Sequence, residues 1–155
     1  AAVGPTQATA APGTARITQV QVRVDGVAGK ALVAQSRRSQ LQVSVQFNAD
    51  PHLPPPSVAV AVVREDGLGI ASALSHNDGV VTTPDAQGQG VASVTFPQLA
   101  LLKGQFRIEV YLLCERGLHL YDMAIEVATL EVQQSDPEQG LVSLPRYWRM
   151  GTGLA

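Results

Sequence analysis

Period-two alternation of apolar and polar side chains is the feature that most constrains the fold of this chain. It runs through residues 20–24, 41–47 and 106–112, where every second residue is Val, Leu, Ile or Phe. The residues between are mostly Gln, Arg, Ser and Glu. Because successive side chains of a strand point to opposite faces, each run predicts a strand with one buried and one solvated face.

Weaker runs of the same kind predict strands at residues 90–96, 118–121, 128–132 and 141–143, together with a hairpin at residues 58–74. Residues 123–130 also fit a helical turn through Met123, Val127 and Leu130, and the pattern leaves this alternative open. About eight to ten short strands with no long helix indicate an all-β fold. We therefore predict a two-sheet antiparallel β-sandwich, immunoglobulin-like or jelly-roll.

The register of the hairpin follows from its turn. A three-residue loop of Glu65, Asp66 and Gly67, with Gly67 in the left-handed conformation, places Arg64 opposite Leu68. The same register predicts the pairs Val62–Ile70, Val60–Ser72 and Val58–Leu74 on the core face, and Ala61–Ala71 and Ala59–Ala73 on the other. The second face would then be a floor of four alanines.

The domain boundaries follow from changes in composition. Residues 1–14 consist mainly of Ala, Thr, Gly, Pro and Gln without periodicity, as is typical of a flexible linker. We expect the sandwich domain to cover residues 15–149 and a short tail to cover residues 150–155. One compact core fits a chain of 155 residues, and a second domain does not.

Charge and composition limit the classes of partner and of reactive group that this chain can have. Eleven basic and thirteen acidic residues leave a formal charge of -2, so we expect no nucleic-acid partner. The single cysteine, Cys114, falls on the apolar side of a predicted strand and is interpreted as a buried free thiol.

The residues that might carry catalysis or bind cofactors do not form a recognisable site. Residues 26–31 lack the glycine spacing and the hydroxyl residue of a phosphate loop. Ser75 and His76 are adjacent, so in a strand they point to opposite faces and cannot act as nucleophile and base. We predict no catalytic residues, no cofactor and no metal. A calcium site at Glu65 and Asp66, or at Asp122 and Glu126, is the weaker alternative to turn and cap chemistry.

Several segments, in order and spacing, resemble one family over residues 15–148. They are an Arg-Glu-Asp-Gly hairpin turn at residues 64–67, a Gly-Gln-Phe-Arg-Ile strand entry at 104–108, Tyr-Asp at 121–122, and Gly-Leu-Val-Ser-Leu-Pro-Arg-Tyr-Trp at 140–148. The set is similar to the C-terminal domain of Wzt, the ATP-binding subunit of ABC transporters that export O-antigen polysaccharide in Gram-negative bacteria.

This resemblance implies a β-sandwich homodimer that binds the non-reducing end of a lipid-linked O-polysaccharide. The other implied partners are an upstream nucleotide-binding domain and the membrane permease. The implied location is the cytoplasm, at the inner face of the inner membrane. Such a domain selects finished lipopolysaccharide precursors for export and is not an enzyme.

Sugar recognition needs planar groups that stack on pyranose faces and polar groups for hydroxyls or acidic sugars. The outward residues of the two clearest strands supply these groups, and we expect them to form one surface if both strands share a sheet. The predicted ligand-binding residues are Ser44, Gln46, His76, Asn77, Arg107, Glu109, Tyr111, His119 and Tyr121. Trp148 is interpreted as a packing residue, either a core plug or a dimer anchor, with stacking on a sugar as the alternative.

A non-catalytic module for protein interaction or dimerisation is the alternative function, with the alanine floor receiving a partner strand. A small glycan-modifying enzyme is a third possibility, for which the sequence positions no pair of facing carboxylates.

Overall fold

A computed structural model of the protein describes residues 14–154. Its nine strands are β1 (Ala15–Val24), β2 (Val27–Ala28), β3 (Ala31–Gln35), β4 (Leu41–Ala49), β5 (Ser57–Arg64), β6 (Gly69–Leu74), β7 (Gln89–Phe96), β8 (Gly104–Leu113) and β9 (Leu120–Gln133). Of the predicted linker only Thr14 is described, and the remainder lies outside the described residues.

The strands form two sheets that pack face to face. One has four strands in the order β2-β1-β4-β7, and the other has five in the order β3-β9-β8-β5-β6. The apolar residues of each alternating run meet between the sheets, and the largest fully buried side chains include Phe47, Leu41, Ile108 and Leu112. The all-β sandwich is thereby confirmed. Within residues 14–154 no helix has the length and apolarity needed to span a bilayer.

One strand pair departs from the antiparallel pattern. β3 runs parallel to β9, with Ala31 opposite Thr129 and Gln35 opposite Gln133. β3 was not predicted, because it has five residues and buries only Leu32 and Ala34, which is too short an alternation to stand out.

The last long strand is continuous where two strands were predicted. The predicted strands 118–121 and 128–132 lie largely in β9, and the helical alternative at residues 123–130 is wrong. Three residues of β9, Ile125 to Val127, lie between the partners of Ile108 and Val110, and Glu126 has a positive φ of 59°. The break in alternation at residues 123–130, which also fitted a helical turn, corresponds to this bulge. The strand predicted at residues 141–143 is a single bridge between Val142 and Leu101.

The hairpin turn forms as predicted, but the pairs beyond it do not. The Arg64 N–H donates to the Leu68 carbonyl at 2.8 Å, and Gly67 has φ of 92°. Ile70 is then an extra residue, a bulge that shifts the register by one. The observed pairs are Val62–Ala71, Ala61–Ser72, Val60–Ala73 and Ala59–Leu74. The four-alanine floor is therefore wrong, since Ala73 lines the apolar cleft between the sheets with Val60.

Candidate functional site

Three polar side chains form a connected cluster on the outer face of the five-stranded sheet. Arg107, Glu109 and Tyr111 alternate with core residues along β8, so all three point away from the core. Arg107 Nε donates to Glu109 Oε2 at 2.9 Å, and Tyr111 Oη donates to Glu109 Oε1 at 2.6 Å. We call these three residues the β8 triad. A single carboxylate thus orients both a guanidinium and a phenol.

Glu109 is the centre of the triad and is 7% exposed, although it lies on an outer sheet face. The bulge of β9 stands beside it, because residues 125–127 occupy the register position opposite Glu109. Both of its oxygens accept hydrogen bonds from charged or polar donors, as a buried carboxylate requires.

The phenol of Tyr111 is held in its neutral form. Burial, followed by the hydrogen bond to Glu109 and the negative charge of that carboxylate, raises the pKa of Tyr111 to about 12. A neutral phenol keeps its proton as a donor and its ring as an apolar face. Arg107 supplies a cation with several donors at the other end of the triad.

Small residues line the sheet next to the triad. Ala59 is the register partner of Tyr111, and Ala61 is the partner of Glu109. On the edge strand Ser72 lies opposite Ala61. Val63 is the register partner of Arg107, and Leu74 lies opposite Ala59. The short side chains are therefore confined to the positions beside Glu109 and Tyr111, where they leave room for a ligand to contact the Tyr111 ring from the side.

The turn at residues 75–79 and the loop at residues 114–119 close the end of the sheet near Tyr111. They approach each other closely, since a side chain added at Gly117 would lie 2.9 Å from Leu74 Cδ2 and 3.8 Å from His76 Cβ. Leu74 shares a register row with Ala59 and Tyr111. The predicted residues His76, Asn77 and His119 are exposed on these turns.

The remaining predicted residues do not join this surface. Tyr121 is half-buried and packs against the core, and burial raises its pKa. Ser44 and Gln46 lie on β4, in the four-stranded sheet, so their outward side chains face the opposite side of the sandwich. The condition for one shared surface, that both strands lie in one sheet, is not met, because β4 and β8 belong to different sheets.

Sequence reasoning missed a group of polar residues around Gln46. Thr18, Asn48, Thr83, Asp85 and Gln89 line one depression with it. Pairing of β4 with β7 creates this group, since Asn48 lies opposite Gln89 and Gln46 opposite Val91. The alternation within each strand was visible, but the pairing of the two strands was not.

The candidate nucleophiles have structural partners. Ser75 Oγ accepts the Val58 N–H at 2.9 Å. Cys114 is buried and its Sγ accepts the N–H groups of Leu118 and His119 at 3.4 and 3.3 Å. Among residues 14–154 no group of three or more His, Cys, Asp or Glu side chains is arranged to hold a metal ion.

The C-terminal segment is anchored at its base and exposed beyond it. Arg37 pairs with Asp136 and Glu138, and Arg146 Nη1 also contacts Glu138, at 2.5 Å. Past this network Tyr147 is 91% exposed and Trp148 is 80% exposed. Trp148 is therefore not a core plug.

The profile of the Wzt C-terminal domain family matches residues 7–144. This chain belongs to that family. Membership supports a role for the domain in the ABC transporter system that exports O-antigen. No curated protein matches the chain closely enough to count as a relative.

A solved structure agrees on the fold of this Wzt-family domain. A crystal structure of the C-terminal domain of Wzt has a TM-score of 0.70, with 16% sequence identity, 89% of this chain covered and 84% of that one. At this identity the likeness shows the fold alone. A putative beta-galactosidase from Bacteroides fragilis has a TM-score of 0.49 with 13% identity, over 73% of this chain and 16% of its own.

Proposed function

We propose that this domain binds the non-reducing terminus of a lipid-linked O-antigen polysaccharide and so selects finished chains for export by an ABC transporter. The observation that carries the proposal is the β8 triad, with the short side chains of Ala59 and Ala61 beside Tyr111 and Glu109. Glu109 fixes Arg107 and Tyr111 before any ligand arrives, which reduces the entropy lost on binding. The Tyr111 ring is available to stack on a pyranose face, and Arg107 to donate to hydroxyl or acidic groups.

Selectivity in this proposal comes from short-range contacts. The formal charge of -2 provides no strong field to steer a polymer, so discrimination rests on hydrogen bonds and stacking at one terminus. A site that hydrogen-bonds a sugar hydroxyl rejects an analogue without it, because a buried polar group is left unpaired at a cost of about 1 to 3 kcal/mol. We expect affinity per site to be on the order of micromolar or weaker, raised by two linked sites.

A non-enzymatic function fits the same geometry. Both oxygens of Glu109 are engaged by neighbouring donors, which favours a positioning role over proton transfer. Family membership also favours a transporter carbohydrate-binding domain over an enzyme.

The rest of the assembly is proposed on the same basis. Residues 15–149 form the binding domain and residues 150–155 a tail. Residues 1–14 link it to an upstream nucleotide-binding domain, which works with a membrane permease at the cytoplasmic face of the inner membrane. The domain acts as a homodimer, and the exposed Tyr147 and Trp148 favour this dimerisation role as a second function of the chain.

Binding of purified O-polysaccharide from the source organism to the 155-residue chain tests the proposal, with intact glycan compared with glycan trimmed at its non-reducing end. Titration calorimetry should show tighter binding of intact glycan. Tyr111→Ala and Arg107→Ala should each raise Kd about 5- to 150-fold, the range that 1 to 3 kcal/mol corresponds to. Thr95→Ala, an exposed change on the opposite sheet, is the control. Equal binding of trimmed and intact glycan would defeat end recognition.

A further inference from the structure

A polar depression of about 640 Å³ lies on the four-stranded sheet, at the end where β4 and β7 meet the turn before β7. Its polar lining is Thr18, Gln46, Asn48, Thr83, Asp85 and Gln89. We propose that this depression, the β4–β7 pocket, is a second sugar-binding site that holds one uncharged sugar residue of the polysaccharide. This second site is separate from the proposed end-recognition site. It rests on the proposed function only for the class of ligand, a polysaccharide. The volume falls in the range of about 300 to 1,000 Å³ that small-molecule sites occupy.

A bulge in β1 and the close packing of Phe47 against Gly90 shape the pocket. β1 bulges between Ile17 and Gln19, which leaves Thr18 outside the pairing ladder and exposed at the pocket. Gly90 lies opposite Phe47 in the ladder, and a side chain at Gly90 would collide with the Phe47 ring. Gly90 belongs to the core-facing row, where the Phe47 ring fills the space beside it, so Phe47 forms the inner wall of the pocket.

The rim of the pocket is rigid before a ligand binds. Asp85 Oδ1 accepts the N–H groups of Gln87 and Gln89 at 2.9 and 3.0 Å. The Ala49 N–H donates to the Gly88 carbonyl at 2.7 Å, and Gly88 has φ of 86° at a point where any side chain would collide with the Ala49 carbonyl. These contacts fix the turn against β4, so little conformational entropy is lost there on binding.

The chemistry of the lining matches a polyhydroxyl ligand. Each of the three primary amides presents donors and an acceptor in its own plane. The two threonines offer hydroxyls, and Asp85 accepts from hydroxyl groups. Among the described residues that line the pocket none is Lys or Arg, and Asp85 repels anions. Arg16, the register partner of Asn48 on β1, lies beside the pocket and outside its lining. The pocket therefore selects uncharged sugars over acidic sugars and phosphates. Its exposed lining contains no aromatic ring, so we expect millimolar affinity for a single sugar.

Nuclear magnetic resonance of the 15N-labelled chain tests the pocket directly. The probes are the methyl glycosides of glucose, galactose, mannose and rhamnose, with methyl glucuronide as the charged comparison. At least one neutral probe should shift the side-chain amide signals of Gln46, Asn48 and Gln89, and methyl glucuronide should bind at least fivefold more weakly. Thr18→Val and Asn48→Ala should each weaken binding at least fivefold. Gln21→Ala, on the same sheet face but outside the pocket, should leave it unchanged.

The outcomes separate this site from the β8 triad. Tyr111→Ala should leave the pocket signals and their titration unchanged, because Tyr111 lies on the opposite sheet. The inference is overturned if none of the four neutral probes shifts the three amide signals, or if Asn48→Ala and Gln21→Ala bind alike. It is also overturned if Tyr111→Ala abolishes the shifts. Loss of end recognition alone, with the pocket titration intact, removes the proposed function and leaves the second site standing.

Discussion

Asp122 Oδ2 accepts a hydrogen bond of 2.8 Å from the main-chain N–H of Ile17, and this bond joins the two sheets of the sandwich. Ile17 lies in β1 and Asp122 in β9, 105 positions apart in the chain. The bond forms where β1 bulges after Ile17. It connects the bulged part of β1 to β9.

Replacing Asp122 should therefore destabilise the fold. Asp122→Ala leaves the half-buried Ile17 N–H without its charged acceptor, and hydrogen bonds to charged groups contribute about 1.5 to 3 kcal/mol. We expect the free energy of unfolding to fall by about that amount in urea titrations. Asp122→Asn retains an oxygen acceptor and should lose less, and the exposed change Asp78→Ala is the control. Equal stability of Asp122→Ala and Asp78→Ala would contradict the role of this bond.

Tyr111 should titrate later than an ordinary tyrosine. Its pKa of about 12 exceeds the unfolded value of about 10, so its contribution to stability is fully present below pH 10 and is lost as the pH rises through 12. Absorbance of tyrosinate against pH, compared between the parent chain and Tyr111→Phe, isolates this group. Glu109→Gln should lower the pKa of Tyr111 only in part, because burial is the larger cause. A Tyr111 pKa near 10 in the parent chain would show that the triad does not form.

The exposed C-terminal segment should mediate dimerisation. Tyr147, Trp148 and Met150 present apolar surface to solvent past the anchored base, and a partner chain can accept them as an added or exchanged strand. Sedimentation at tens of micromolar should give twice the chain mass of 16.3 kDa.

Variants of the segment separate dimer formation from folding. Deletion of residues 144–155 and Trp148→Ala should each shift the population toward monomer. Val27→Ala, a 66% exposed apolar residue elsewhere, should not. Because Trp148 is exposed in the single chain, its loss should lower the melting temperature only at concentrations where the dimer forms. A dimer that survives the deletion would place the interface on another surface.

The sequence by itself determined which side chains of a strand point toward the core and which point outward, because the two-residue period of a strand assigns sides without reference to neighbours. It also determined the turn at Gly67, where local backbone conformation decides the structure. Arg107, Glu109 and Tyr111 were correctly placed on one face because they share a single strand.

Only the tertiary structure decided which strands share a sheet. Ser44 and Tyr111 have the same local pattern, yet pairing puts them on opposite sides of the sandwich. Bulges had the same effect on a smaller scale, since the extra Ile70 moved Ala73 from the expected outer face to the core side. The β4–β7 pocket likewise depends on a bulge, a strand pairing and a turn meeting at one place. Pairing and bulges follow from packing between segments distant in the chain, and alternation within one segment does not encode them.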